Sequence, residues 1–160
     1  MRFLADGIDF AQRYLKERGP EHFFNLGMLS WHKQAEVLLA MATILIIDDE
    51  ASIRLLLRSV LEAAGYEVTE ASNGRQGLEL YRHRPTDLVI TDICMPELDG
   101  LEVLLALTRE FIHVKVIVMS GVREQESALR VAKLLRARQT IQKPFTIPPL
   151  LDAVRYEVDH

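Results

Sequence analysis

Three aspartates, a serine and a lysine stand where strand-like runs end, and their types suit one kind of chemistry. The acid pair Asp48-Asp49 follows Ile44-Leu45-Ile46-Ile47, and Asp92 follows Leu88-Val89-Ile90-Thr91. Ser120 follows Val116-Ile117-Val118-Met119, and Lys143 follows Thr140-Ile141-Gln142. A hard divalent cation such as Mg²⁺ takes oxygen ligands in octahedral geometry, usually one or two carboxylates with water and phosphate oxygens. Asp49 and Asp92 are the expected direct ligands, Asp48 binds directly or through water, and the backbone carbonyl of Cys94 offers a further oxygen. Three carboxylates gathered without a cation would repel one another, and a bound metal resolves that conflict. A carboxylate is also a nucleophile able to form an acyl phosphate. Asp92 is the candidate, because a loop with Pro96 and Gly100 follows it. Lys143 would supply an ammonium and Ser120 a hydroxyl to the phosphoryl oxygens, with Gly121 leaving room beside them. In isolation each has a plainer reading: acids capping a helix, a turn serine, a solvated lysine. Their recurrence at four strand ends argues against that.

The elements that must position these side chains follow from the pattern. Strands buried on both faces read as continuous apolar, β-branched runs, and helical stretches separate the runs here, which points to a parallel sheet. Strands are expected over 43–48, 67–71, 87–92, 115–120 and 139–142. Helices are expected over 50–64, from Asn73-Gly74 to before Pro85, and over 100–111, 125–135 and 147–158. The first helix would bury Ile53, Leu56, Leu57, Val60 and Leu61 and stop at Gly65. This (βα)5 alternation, with right-handed crossovers, favours an α/β flavodoxin-like, doubly wound parallel sheet in the order 2-1-3-4-5. That order sets strands one, three, four and five side by side, with their carboxyl ends at the edge where open α/β sheets bind ligands.

Length and composition bound the rest. A chain of 160 residues, 49% hydrophobic and 26% charged, holds one full domain with a core. Its net charge of -4 argues against direct nucleic-acid binding, because no basic stripe appears. The single cysteine, Cys94, excludes an internal disulfide and gives no sign of an oxidising compartment. The longest apolar stretch, 37–47, is far short of the roughly 20 residues that span a bilayer. Asp6, Asp9, Arg13 and Lys16 interrupt any signal-peptide core. A cytoplasmic location is expected.

The character of the chain changes at Met41. Residues 1–40 carry balanced charge and only helical patterning: Phe3, Leu4, Ile8, Ala11 and Leu15 line one side, Gly19-Pro20 ends that run, and a weaker helix is expected over 30–40. His32 and Glu36, four apart, read as an intrahelical pair rather than metal ligands. The expected division is an N-terminal helical or poorly ordered extension over 1–40 and a domain over 41–160. A helical arm that packs on the domain or mediates self-association is the alternative.

Taken together, 44–50, 87–100, Val118-Met119-Ser120-Gly121 and Lys143-Pro144-Phe145 resemble the receiver domain of two-component response regulators. The resemblance covers Met41 to about Val158, and four motifs in order at this spacing are specific where a lone acid pair would not be. It implies that Asp92 accepts phosphate from a histidine kinase or phosphotransfer protein, with Asp48 and Asp49 holding Mg²⁺. It implies too that Ser120 moves to bind the phosphoryl group, that Lys143 pairs with it, and that Lys143-Pro144 is a cis peptide. Thr140 departs from the aromatic residue common three positions before the lysine, so the output cannot use a swinging ring. Arg136 stands where the family usually has glycine, and loosening or reshaping of the helix end is expected there. Both positions belong to the helix 4, strand 5 and helix 5 face by which receivers usually signal.

The sequence runs out after helix five, so a single-domain regulator switching partner binding is expected. The alternatives are a phosphorelay intermediate or the receiver portion of a longer regulator. Haloacid dehalogenase-type phosphatases also form an aspartyl phosphate, but they place a second acid two residues after the nucleophile, where this chain has Cys94. No catalysis is expected beyond the protein's own phosphorylation and autodephosphorylation.

Overall fold

The computed structural model describes residues 41–121 and 126–160, and the helical readings within 1–40 lie outside the described residues. The chain divides into the units Met1–Met41 and Ala42–His160, and everything that follows concerns the second. Five strands, β1 Thr43–Ile47, β2 Glu67–Ala71, β3 Leu88–Asp92, β4 Val116–Ser120 and β5 Gln139–Gln142, form one parallel sheet in the order β2-β1-β3-β4-β5. Between and after them run α1 Ala51–Ala63, α2 Gly74–His83, α3 Gly100–Glu110, α4 Glu126–Leu134 and α5 Ile147–Asp159. The (βα)5 flavodoxin-like order expected from the apolar runs is the observed one.

Successive side chains along a strand point to opposite faces, so the core forms two layers. Ile44, Ile46, Leu88, Ile90, Ile117 and Met119 pack on one face with Leu57 and Leu61 of α1 and Leu150 and Val154 of α5. Leu45, Ile47, Val89, Val116 and Val118 pack on the other with residues of α2, α3 and α4, including Leu78, Leu104 and Ala132. Helices thus cover both faces, which is why β1, β3 and β4 have no polar alternation. Full burial of each such side chain contributes about 1.5–3 kcal/mol. In α1 the buried stripe is narrower than expected: Leu57 and Leu61 are buried, whereas Leu56 is 42% exposed. Leu56 lies about 100° around the helix from Leu57, at the margin of the stripe.

Local signals set the helix ends. The Asn73 side chain accepts the Gln76 N–H at 2.8 Å to start α2. Asp99 and Glu102 cap α3 reciprocally, Asp99 Oδ1 accepting the Glu102 N–H at 2.8 Å and Glu102 Oε2 the Asp99 N–H at 3.0 Å. At the end of α4, Arg136 has φ 70°, the Ala137 N–H donates to Ala132 O at 2.9 Å, and the Arg136 N–H donates to Lys133 O at 3.1 Å. This corrects the expectation for Arg136. The arginine adopts the left-handed turn itself and keeps the hydrogen bonds of a glycine-ended helix, so the end is not reshaped.

Candidate acidic site at the sheet edge

Strand register explains why the distant acids meet. Ile47 pairs with Thr91, so Asp48, one residue on, comes level with Asp92. Asp92 pairs with Met119, and Ser120 with Gln142, so Ser120 and then Lys143 each stand one step further along the edge. Carboxylate oxygens of Asp48, Asp49 and Asp92 lie within 4.8 Å of one another. Asp48, Asp92 and Ser120 are buried, while Asp49 is exposed. Asp48, Asp49, Asp92, Ser120 and Lys143 therefore sit at the carboxyl edge of the sheet.

Lys143 reaches across this group. Its Nζ is 2.9 Å from Asp48 Oδ2 and 2.8 Å from Asp92 Oδ1. Burial pulls the Lys143 ammonium down, but hydrogen bonds to Asp92 and Asp48, and then their charges, outweigh it and hold the group above its ordinary value. The Lys143 N–H donates to Ser120 O at 2.6 Å, tying the β4 and β5 ends together, and the Lys143-Pro144 peptide is cis. Ser120 Oγ donates to Gly121 O at 3.3 Å.

The loop after β3 returns tightly over Asp92. The Ile93 N–H donates to Met119 O and the Gly100 N–H to Ile93 O, both at 2.9 Å. A Cβ on Gly100 would collide with the Asp92 carbonyl oxygen and stand 3.0 Å from Ile93 Cα, so only glycine lets α3 begin this close to the strand end. Cys94 is on this loop with its side chain exposed, so it is a loop residue rather than a core one.

The helix-capping reading of the acid pair accounts for little. Glu50 occupies the cap of α1 without a side-chain cap bond, and Asp48 Oδ1 accepts the Glu50 N–H at 2.8 Å. One residue was missed from the sequence: Arg54 Nη1 donates to the backbone carbonyl of Asp48 at 2.8 Å. A signal for it existed, because a cation near the first turn of a helix opposes the helix dipole and needs a reason.

Three carboxylates facing one ammonium leave two negative charges uncompensated, and an all-oxygen donor set of that charge fits a hard divalent cation. Fold and site together define a flavodoxin-like α/β protein with a cluster of three aspartates at its sheet edge. The model of the response regulator receiver domain matches residues 44–155, and the chain belongs to that family. It is 35% identical to the chemotaxis protein CheY of Thermotoga maritima over 112 residues, 69% of this chain and 92% of that protein. It is 36% identical to sporulation initiation phosphotransferase F of Bacillus subtilis, also over 112 residues, 70% of this chain and 90% of that one. A receiver domain structure from Clostridium thermocellum superposes with a TM-score of 0.69 at 32% identity, covering 74% of this chain and 95% of the other. The protein is a CheY-like receiver domain of the two-component type.

Proposed function

We propose that the protein is a phosphorylation-driven response regulator in which Asp92 is the phosphoacceptor. A carboxylate oxygen of Asp92 attacks the phosphorus of a phosphohistidine on a histidine kinase or phosphotransfer protein. The new O–P bond gives an acyl phosphate as the N–P bond breaks, and the imidazole leaves with the electron pair. Asp48, Asp49, Asp92 and the carbonyl of Cys94 would hold Mg²⁺, which when bound offsets charge on the phosphoryl oxygens. Lys143 pairs with one of those oxygens, exchanging its contact with Asp92 for the phosphoryl group. The Ser120 hydroxyl donates to another, after turning from Gly121 O. Autodephosphorylation by water is the only further reaction.

The observation that carries this reading is Lys143 bonded to both Asp48 and Asp92 beside a third carboxylate. Incubation with acetyl phosphate and MgCl₂, read by intact mass, tests it. Wild type gains one phosphoryl group and Asp92→Asn gains none; an equal adduct on the variant removes Asp92 from the role.

Output passes through the face of α4, β5 and α5, where Val131, Leu134 and Tyr156 are exposed, without direct binding of nucleic acid. Thr140 on β5, half-buried, takes the place of a switching ring. Residues 1–40 are an extension dispensable for this chemistry, since every proposed site residue falls between 48 and 143. A cytoplasmic location accords with the lone cysteine, and among the described residues no helix is long and apolar enough to cross a membrane. A second reading, a carrier that passes phosphate on, draws on the 36% identity to a protein named a phosphotransferase. Labelled phosphate moving rapidly from Asp92 to an added phosphotransfer protein would favour the carrier.

A further inference from the structure

Every polar atom of Asp48 is engaged. Its N–H donates to Ala71 O at 3.2 Å, Oδ1 accepts from Glu50 N–H and Oδ2 from Lys143, and its carbonyl accepts from Arg54. Asp49 is the opposite case: it is exposed, and no described residue hydrogen-bonds its carboxylate. What aims Asp49 is therefore the backbone that carries it. The peptide unit is planar, so a hydrogen bond that fixes the Asp48 carbonyl also fixes the Asp49 N–H and Cα.

Arg54 makes that bond from an anchored position. Its side chain is only 17% exposed, and Nε lies 4.0 Å from Glu70 Oε2 on β2. Glu70 is held in turn by Arg58 Nε at 2.6 Å. A planar guanidinium can direct one arm at a carbonyl and another edge at a carboxylate, which a lysine ammonium cannot match in fixed geometry. We propose that Arg54 is a positioning residue for cation binding: it locks the Asp48-Asp49 peptide and so pre-orients the Asp49 carboxylate toward Asp48 and Asp92. This rests on the reading of the three aspartates as a Mg²⁺ site. Groups that orient metal ligands without touching the metal commonly contribute about 10–100-fold to affinity.

Calorimetric titration of metal-stripped full-length protein with MgCl₂ tests this in wild type, Arg54→Met, Arg54→Lys and Glu70→Gln. Arg54→Met should weaken Mg²⁺ binding about tenfold or more, and Arg54→Lys should recover part of the loss. Glu70→Gln, which removes the 4.0 Å ion pair but keeps the carbonyl bond, should cost less than Arg54→Met, staying within about threefold of wild type. A second readout separates positioning from damage: the slow phosphorylation of Arg54→Met by acetyl phosphate should return to the wild-type rate at saturating MgCl₂. Wild-type affinity in Arg54→Met, an equal loss in Glu70→Gln, or slow phosphorylation that saturating MgCl₂ does not restore overturns the role of Arg54. Failure of wild type itself to bind Mg²⁺ overturns the metal-site reading, and the inference with it.

Discussion

Arg136 ends α4 with the same backbone turn with which Gly65 ends α1. At Gly65, φ is 93°, the Tyr66 N–H donates to Leu61 O at 3.1 Å, and the Gly65 N–H donates to Glu62 O at 3.0 Å. At Arg136, φ is 70° and the two bonds recur from Ala137 and Arg136 to Ala132 and Lys133. Glycine adopts this conformation freely, whereas a side chain brings its Cβ against the carbonyl oxygen.

Arg136→Gly should therefore stabilise the protein by about 1 kcal/mol, raising the melting temperature by about 4 °C. Urea unfolding followed by circular dichroism measures it. No gain would mean that contacts of the arginine side chain compensate the strain.

Gly100→Ala should do the reverse. The added methyl meets backbone atoms of Asp92 and Ile93, which cannot swing aside as a flexible side chain would. A cost of about 3 kcal/mol or more is expected, together with slower phosphorylation from acetyl phosphate because Asp92 must shift. Wild-type values for both would show that α3 can start elsewhere.

Removing the ammonium should expose the repulsion it quenches. In metal-free protein, Lys143→Met leaves the buried Asp48 and Asp92 facing each other and should cost about 2–3 kcal/mol, less than a fully buried pair because Lys143 is 19% exposed. Added MgCl₂ should return part of that loss, measured as a larger metal-induced rise in melting temperature than wild type shows. An equal rise in both proteins would contradict a shared site.

Alkaline pH should unfold the protein through two identified groups. Lys143 is held above its ordinary 10.5, so its contribution is complete below that value and disappears as pH rises through the folded one. Tyr81 is held above 10.0, by burial first and then by the charge of Asp87. Between the two Tyr81 values the folded state keeps a proton the unfolded chain loses, so stability again falls with rising pH. Denaturant titrations from pH 9 to about 11.5 should show a steady decline, shallower in Tyr81→Phe. A profile in Tyr81→Phe that superimposes on wild type would remove the tyrosine from the account.

Much of this molecule was legible along the chain. Parallel strands covered on both faces carry no polar alternation, so runs such as Ile44-Leu45-Ile46-Ile47 announce themselves. Strands 67–71 and 139–142 have the bounds read from the sequence, and the others differ by one residue at one end. The residues of the acidic site were legible too, because each ends such a run. Helix margins are less so: the apolar spacing puts Leu56 inside, yet it is 42% exposed, since a 100° step sets it at the border of the stripe.

Residue types and their spacing along the chain set the chemical inventory: three carboxylates, a hydroxyl and an ammonium at strand ends, and the fold class that gathers them. How those groups share their contacts is a matter of three-dimensional packing. Register sets Lys143 against Asp48, 95 residues away, as well as against Asp92. Burial separates neighbours that look alike in the chain, enclosing Asp48 and exposing Asp49. The carbonyl bond of Arg54 belongs to the same category. These relations depend on through-space distances of about 3 Å between residues on different elements, which periodicity and local propensity do not encode.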